Sequence, residues 1–341
     1  MNFNLSNGAS RIIVSNAIYG VDQSSQWSLW SSVDDGLVWL KVANVNCTKH
    51  TLYKDTIYAN ISGKVRFEIR HSSLNTSRIN IDDLYIEDFD TTASQDYHLT
   101  LGNPSNAQTD IAFPDNYLLA KDQYILSYNS SKGIPNWVGW HMSSAWHGSA
   151  PRKDAFKADA TLPTSFIRIK PSDYTNSVFD RGHMCPSEDR DLTTTDNLQT
   201  FLMTNMIPQA PNCNQQTWRY LEQYCQTTAQ NGKELYIYSG GIGSGGSGSK
   251  GLFTTIANGK VVVPQFLWKV IVVLPNGPYD LNRITADTKV IAVKVPNMNF
   301  VTGINWSQYR VSVDKIESLT GLNFLADVDD SIEDVLEAQV P

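Results

Sequence analysis

Short runs of β-branched and aromatic residues, several of them alternating with polar ones, fill the first ninety positions of the chain, at 10–14, 37–42, 56–61, 65–70 and 84–89. Turn-forming clusters such as Asp34-Asp35-Gly36, Ser62-Gly63-Lys64 and Asn75-Thr76-Ser77 separate them. A period of two with frequent turns predicts a small antiparallel β-sandwich over 1–90. From 91 to 107 the composition shifts to Thr, Ser, Asn, Gln and Gly, which reads as a linker. A second domain is expected over 108–341. Its clearest element is a helix at 214–229, where Trp218, Leu221, Tyr224 and Cys225 recur at three- and four-residue spacing and Asn231-Gly232 supplies the stop. Core strands are expected at 234–239, 260–264 and 267–273, with a flexible Gly/Ser connection at 240–251. The last forty residues read as short helices, and Asp327, Asp329, Asp330, Glu333, Asp334 and Glu337 as a solvated acidic face.

Composition narrows the classes. A chain of 341 residues, 41% hydrophobic and 18% charged, is long enough for two packed cores. The longest apolar run, 261–274, is interrupted by Pro264, Gln265 and Lys269, so no membrane span is expected. The first residues have neither a basic segment nor an apolar one, so no export signal is visible in the chain. The net charge of −7 argues against a protein that coats nucleic acid, although an enzyme needs only a local positive groove. Four cysteines allow one or two bridges: Cys213 and Cys225 lie too far apart along one helix to join, and Cys185 is left to pair with either, or all stay reduced.

The chemistry concentrates in Asp180-Arg181-Gly182-His183 and in the segment from Asn205 to Glu222. Histidine is the natural base near neutral pH, and Arg181, two residues earlier on an extended strand, shares its face. Asn214 offers a hard, neutral oxygen suited to magnesium; it also stands where an N-cap would, which is the plainer reading of an asparagine at a helix start. A zinc site from His183, Cys185, Cys213 and Cys225 lacks any Cys-x-x-Cys pair and would consume the base. The 240–251 loop ends Ser249-Lys250-Gly251 and fails the P-loop pattern.

The tetrad, followed by Asn205, Pro208, Gln209, Asn214, Trp218, Leu221 and Glu222 at their spacing, resembles the DNA/RNA non-specific endonuclease family. That resemblance implies an α+β fold, a ββα-metal (His-Me finger) nuclease domain with a central antiparallel sheet flanked by helices, here preceded by the all-β module. It implies a hydrolase cutting DNA and RNA to 5′-phosphate and 3′-hydroxyl ends with Mg2+, or with Mn2+ or another divalent cation. Residue by residue, it makes His183 the general base, Asn214 the metal ligand, Arg181 the motif arginine and Glu222 the carboxylate that orients water. An upstream phosphate-bracing arginine is matched to Arg152, with Lys157 as the competitor. The family's habit implies secretion. The segment 78–86 resembles the closing strands of jelly-roll accessory modules; the ligand of residues 1–90 is left open, with carbohydrate as a candidate. The alternative function is a carbohydrate- or surface-binding protein whose nuclease-like half is secondary or inactive.

Overall fold

The structure is a computed structural model describing residues 3–61, 63–71, 77–89, 98–277, 280–301, 303 and 305–340. The chain forms two compact units, Met1–Thr100 with Gly277–Thr285, and Leu101–Asn276 with Ala286–Pro341. No helix among the described residues is long and apolar enough to cross a membrane.

The first unit packs six strands, β1 (Ala9–Ile18), β2 (Ser25–Ser32), β3 (Leu40–Cys47), β4 (Tyr53–Ile61), β5 (Arg66–His71) and β6 (Ile79–Ile86). They form two three-stranded sheets in the orders β4-β1-β6 and β3-β2-β5. Ile12, Val14 and Ile57 from one sheet meet Trp27, Leu29 and Phe67 from the other, so each sheet buries one face. Asp83 is the extra residue of a β-bulge: Val14 pairs with Leu84 and Ser15 with Asp82, while Asp83 takes a positive φ of 44°. Asp82 and Asp83 thus sit within β6, at its bulge.

The second unit is built on a seven-stranded antiparallel sheet. Its strands are β7 (Tyr117–Ala120), β8 (Ile125–Asn129), β9 (Ile134–Met142), β12 (Lys233–Ile242), β17 (Phe266–Pro275), β18 (Lys289–Pro296) and β19 (Arg310–Val311), in the order β19-β18-β17-β12-β9-β8-β7. Its central strands are covered on both sides, which is why they read as nearly continuous apolar runs. One face carries the strand pair β10 (Asp180–His183) and β11 (Met206–Gln209) and helix α2 (Arg219–Gln230), packing Phe179, Met206, Ile207, Leu221 and Cys225 over Val138, Trp140 and Ile237. On the other face Phe324 stacks on Tyr238 and Trp268. The Gly/Ser stretch is ordered rather than a flexible connection: β13 (Gly246–Gly248) pairs with β14 (Gly251–Phe253), beside the small pair β15 (Thr255–Ile256) and β16 (Val261–Val262). A Cβ on Gly248 would lie 2.7 Å from the side chain of Val178, so glycine lets this hairpin close on the segment leading into β10.

Two buried asparagines set the β10–β11 pair. Asn205 Oδ1 accepts from the Cys185 N–H at 3.0 Å, and its Nδ2 donates to the carbonyls of Cys185 and Thr200 at 2.8 and 2.9 Å. Asn297 accepts from the Ala210 N–H at 2.7 Å and donates to the carbonyls of Pro208 and Pro264. These side chains replace the hydrogen bonds the backbone would otherwise lack where the strands run out. Truncating Asn205 to alanine leaves buried backbone groups unpaired and is expected to lower stability by about 3 kcal/mol, read by urea unfolding; a loss below about 0.5 kcal/mol would contradict this role.

Candidate active site

β10 and β11 pair in the register Asp180 with Gln209, Arg181 with Pro208, Gly182 with Ile207 and His183 with Met206. Gly182 is required by the close approach of Gln209, whose Cδ would stand 2.1 Å from an added Cβ. Arg181 and His183 do share a face. The His183 ring lies 5.6 Å from Phe156 and 4.9 Å from Phe201, while the Arg181 guanidinium sits 5.0 Å over Phe156 and that of Arg152 5.2 Å over Phe201. Two aromatic rings therefore hold one imidazole and two cations in a single cluster. Arg181 is further held by the Pro171 carbonyl, and Arg152 donates to Ser187 Oγ at 2.9 Å and to Asp154. Lys157 pairs through its backbone with Phe201 and Met203, and the charge that acts on His183 is that of Arg152.

Burial in this aromatic setting, and then the charge of Arg152, push His183 down to about 3. Its Nε2 is enclosed and has no hydrogen-bond partner among the described residues. The imidazole is therefore neutral at physiological pH.

Asn214 lies in a π-helical turn, Cys213–Trp218, that leads into α2. Helical backbone already begins at Pro211, so Asn214 is inside the first turn and its side chain caps nothing. Its Nδ2 donates instead to Asp180 Oδ2 at 2.8 Å, and Gln215 Nε2 donates to the same oxygen at 2.9 Å. A carboxylate only accepts, so Asp180 fixes which end of the amide faces it and leaves Oδ1 for another partner. Asp180 joins the strand to the helix, three residues before His183.

Glu222, on α2, turns to a different partner. Its carboxylate is 3.6 Å from Lys269 Nζ, and both side chains are well buried, 16% and 1% exposed. Lys269 lies 4.5 Å from the Trp218 ring and 5.5 Å from Trp140. Burial pushes Glu222 up to about 7; Lys269 opposes the shift, and Asp189 and Glu188 add to it. The 187–189 segment therefore lies between Glu222 and Arg152, which it contacts through Ser187. Asp189 is itself held by Trp140 Nε1 and Gln226.

The sequence model of the DNA/RNA non-specific endonuclease family matches residues 102–331. The chain belongs to this family. A nuclease of Nostoc sp. (strain PCC 7120 / SAG 25.82 / UTEX 2576) is 50% identical over 243 residues, spanning 71% of this chain and 85% of that protein. Nuclease C1 of Cunninghamella echinulata var. echinulata is 31% identical over 241 residues, 68% of this chain and 88% of its own. In fold, the second unit resembles EndoG as solved in the EndoG/EndoGI complex, with a TM-score of 0.56, 23% identity and coverage of 68% of this chain and 91% of that one. The protein is thus an endonuclease, a hydrolase acting on nucleic acid, with the mixed fold of the ββα-metal nucleases.

The family is metal-dependent, and the donors here fit a hard divalent cation: a neutral amide oxygen at Asn214, turned by an adjacent carboxylate. The zinc alternative finds no support, because His183 and the three thiols do not gather into a ligand cluster among the described residues, and all four cysteines are free and buried. Phe156, Phe201, Lys269, Ser187 and Asp189 were not legible as site residues, since each is an ordinary core or loop type in sequence and gains its place only through the tertiary fold. His183 has a folded pKa below its unfolded value, so its stabilising contribution is complete above the unfolded pKa and is lost as pH falls toward the folded one. NMR of the imidazole is expected to show no titration from about pH 5 to pH 9; a midpoint near pH 6.5 would contradict the described environment.

Proposed function

We propose that this family member is a magnesium-dependent endonuclease that cuts DNA and RNA to 5′-phosphate and 3′-hydroxyl ends, exported from the cell, with His183 as general base. The observation that carries the reading is the neutral His183 set between two arginines on a shared aromatic floor. His183 takes the proton of a water aimed at phosphorus, since a neutral imidazole accepts a proton and an imidazolium does not. Arg152 and Arg181 stand at opposite edges of that floor and offset the charge that grows on the phosphate oxygens. An anionic substrate between them also offsets the field of Arg152 on His183, which makes the imidazole a stronger base when substrate is present.

Asn214 would hold the cation through Oδ1, its amide kept in register by Asp180. Bound there, magnesium supplies positive charge for the phosphate and for the departing 3′-oxygen. Glu222 would hold water near this cation, with Lys269 favouring its ionised form. Positive charge at the site is local, carried by two arginines in a chain of net charge −7. The first unit, Met1–Thr100 with Gly277–Thr285, is proposed as an accessory module with a carbohydrate ligand, on its sandwich architecture alone.

Plasmid nicking in magnesium, abolished by EDTA, tests the reading. His183→Ala is expected to lower the rate by at least about 1,000-fold, and Asn214→Ala to raise the magnesium concentration required by about 10-fold or more. Full activity of the His183 variant, or nicking unaffected by EDTA, would overturn the scheme.

A further inference from the structure

Helices α4 (Val313–Thr320) and α5 (Asp330–Ala338) both lean on β18 in the second unit. Ser312 and Asp329 cap their N-termini. The acidic end of the chain is not a uniformly solvated face: Leu336 and Glu337 both point inward from α5. Glu337 is only 6% exposed; its side chain meets that of Glu317, while its Oε1 has no hydrogen-bond partner among the described residues. Asp314 and Glu317 lie one turn apart on α4, and single carboxylate oxygens of Asp314, Glu317 and Glu337 all fall within 4.8 Å of one another. Glu317 also accepts from the Phe324 N–H at 2.7 Å, which fixes its side chain. Nearby carboxylates add to the negative field, with Asp327, Asp330 and Asp334 acting on Glu333, and Glu333 on Glu337.

A buried, unpaired carboxylate oxygen facing two further carboxylates is costly unless a cation or a proton neutralises it. We propose that Asp314, Glu317 and Glu337 bind a calcium ion that clasps α5 to α4, at a site separate from the catalytic residues. The donors are all hard oxygens, with no imidazole or thiolate among them, which excludes a zinc-type set. The three oxygens lie within 4.8 Å of one another, close enough for one cation seated among them to draw a donor from each carboxylate. Magnesium, which keeps several of its waters and demands octahedral geometry, suits an all-carboxylate set less well.

The test uses the whole chain carrying Asn214→Ala, so that binding at the catalytic position does not contribute, and compares melting temperature and calorimetric calcium binding in calcium and in EGTA. Calcium at about 5 mM is expected to raise the melting temperature by about 5 °C. Glu337→Gln should abolish the rise, and Asp314→Asn, at an exposed position where folding is not at risk, should weaken calcium binding by about 10-fold or more. No calcium response in the chain with all three carboxylates would overturn the proposal and mean that a shared proton closes the cluster. A response of equal size in both variants would overturn it by placing the ion elsewhere.

Discussion

One hydrogen-bonding oxygen, Oδ2 of Asp180, ties together the two pieces from which the site is made. It takes donors from Asn214 and Gln215, consecutive residues of a π-helical turn, and so locks that turn against β10. Charge-assisted hydrogen bonds of this kind contribute about 1.5–3 kcal/mol each when shielded, and less at a half-buried position such as this one. Their larger effect is geometric. They orient an amide that would otherwise present its nitrogen or its oxygen to the cleft with little preference, and they do so from the strand that carries the base.

Around that tie the site separates its charges by environment. The aromatic rings of Phe156 and Phe201 desolvate His183 and keep it neutral, while the same rings support Arg152 and Arg181 through their faces. On α2, Glu222 is pushed up by burial and pulled down by Lys269, leaving it near neutral pH, poised between its two forms. The base and the carboxylate thus gain their character from different neighbours, one apolar and one ionic. The buried cation between Trp140 and Trp218 couples the sheet to α2, so the central strands reach the chemistry without contributing a group that touches substrate.

Much of this was legible in the chain. The core strands at 234–239 and 267–273, the stop of α2 at Asn231-Gly232 and the shared face of Arg181 and His183 follow from periodicity and spacing. β2 escaped because serines alternate with Trp27 and Leu29, diluting an otherwise regular period of two. Asn214 reads as a cap because the helix start is hidden: Pro211 begins it earlier, and the wide turn then carries the asparagine inside. The partnership of Glu222 with Lys269, and the floor made by Phe156 and Phe201, join residues from separate elements that nothing in local sequence connects. The inward turn of Glu337 was hidden by its acidic neighbours, since charge alone argued for solvent.

The most direct test of the central claim is the magnesium concentration that gives half-maximal plasmid cleavage in Asp180→Asn. Replacing the carboxylate with an amide lets residue 180 donate as well as accept, so the Asn214 amide is no longer held with its oxygen outward. The account predicts a rise of about 10- to 100-fold in that concentration, with the fold and melting temperature largely kept. An unchanged magnesium requirement would contradict it.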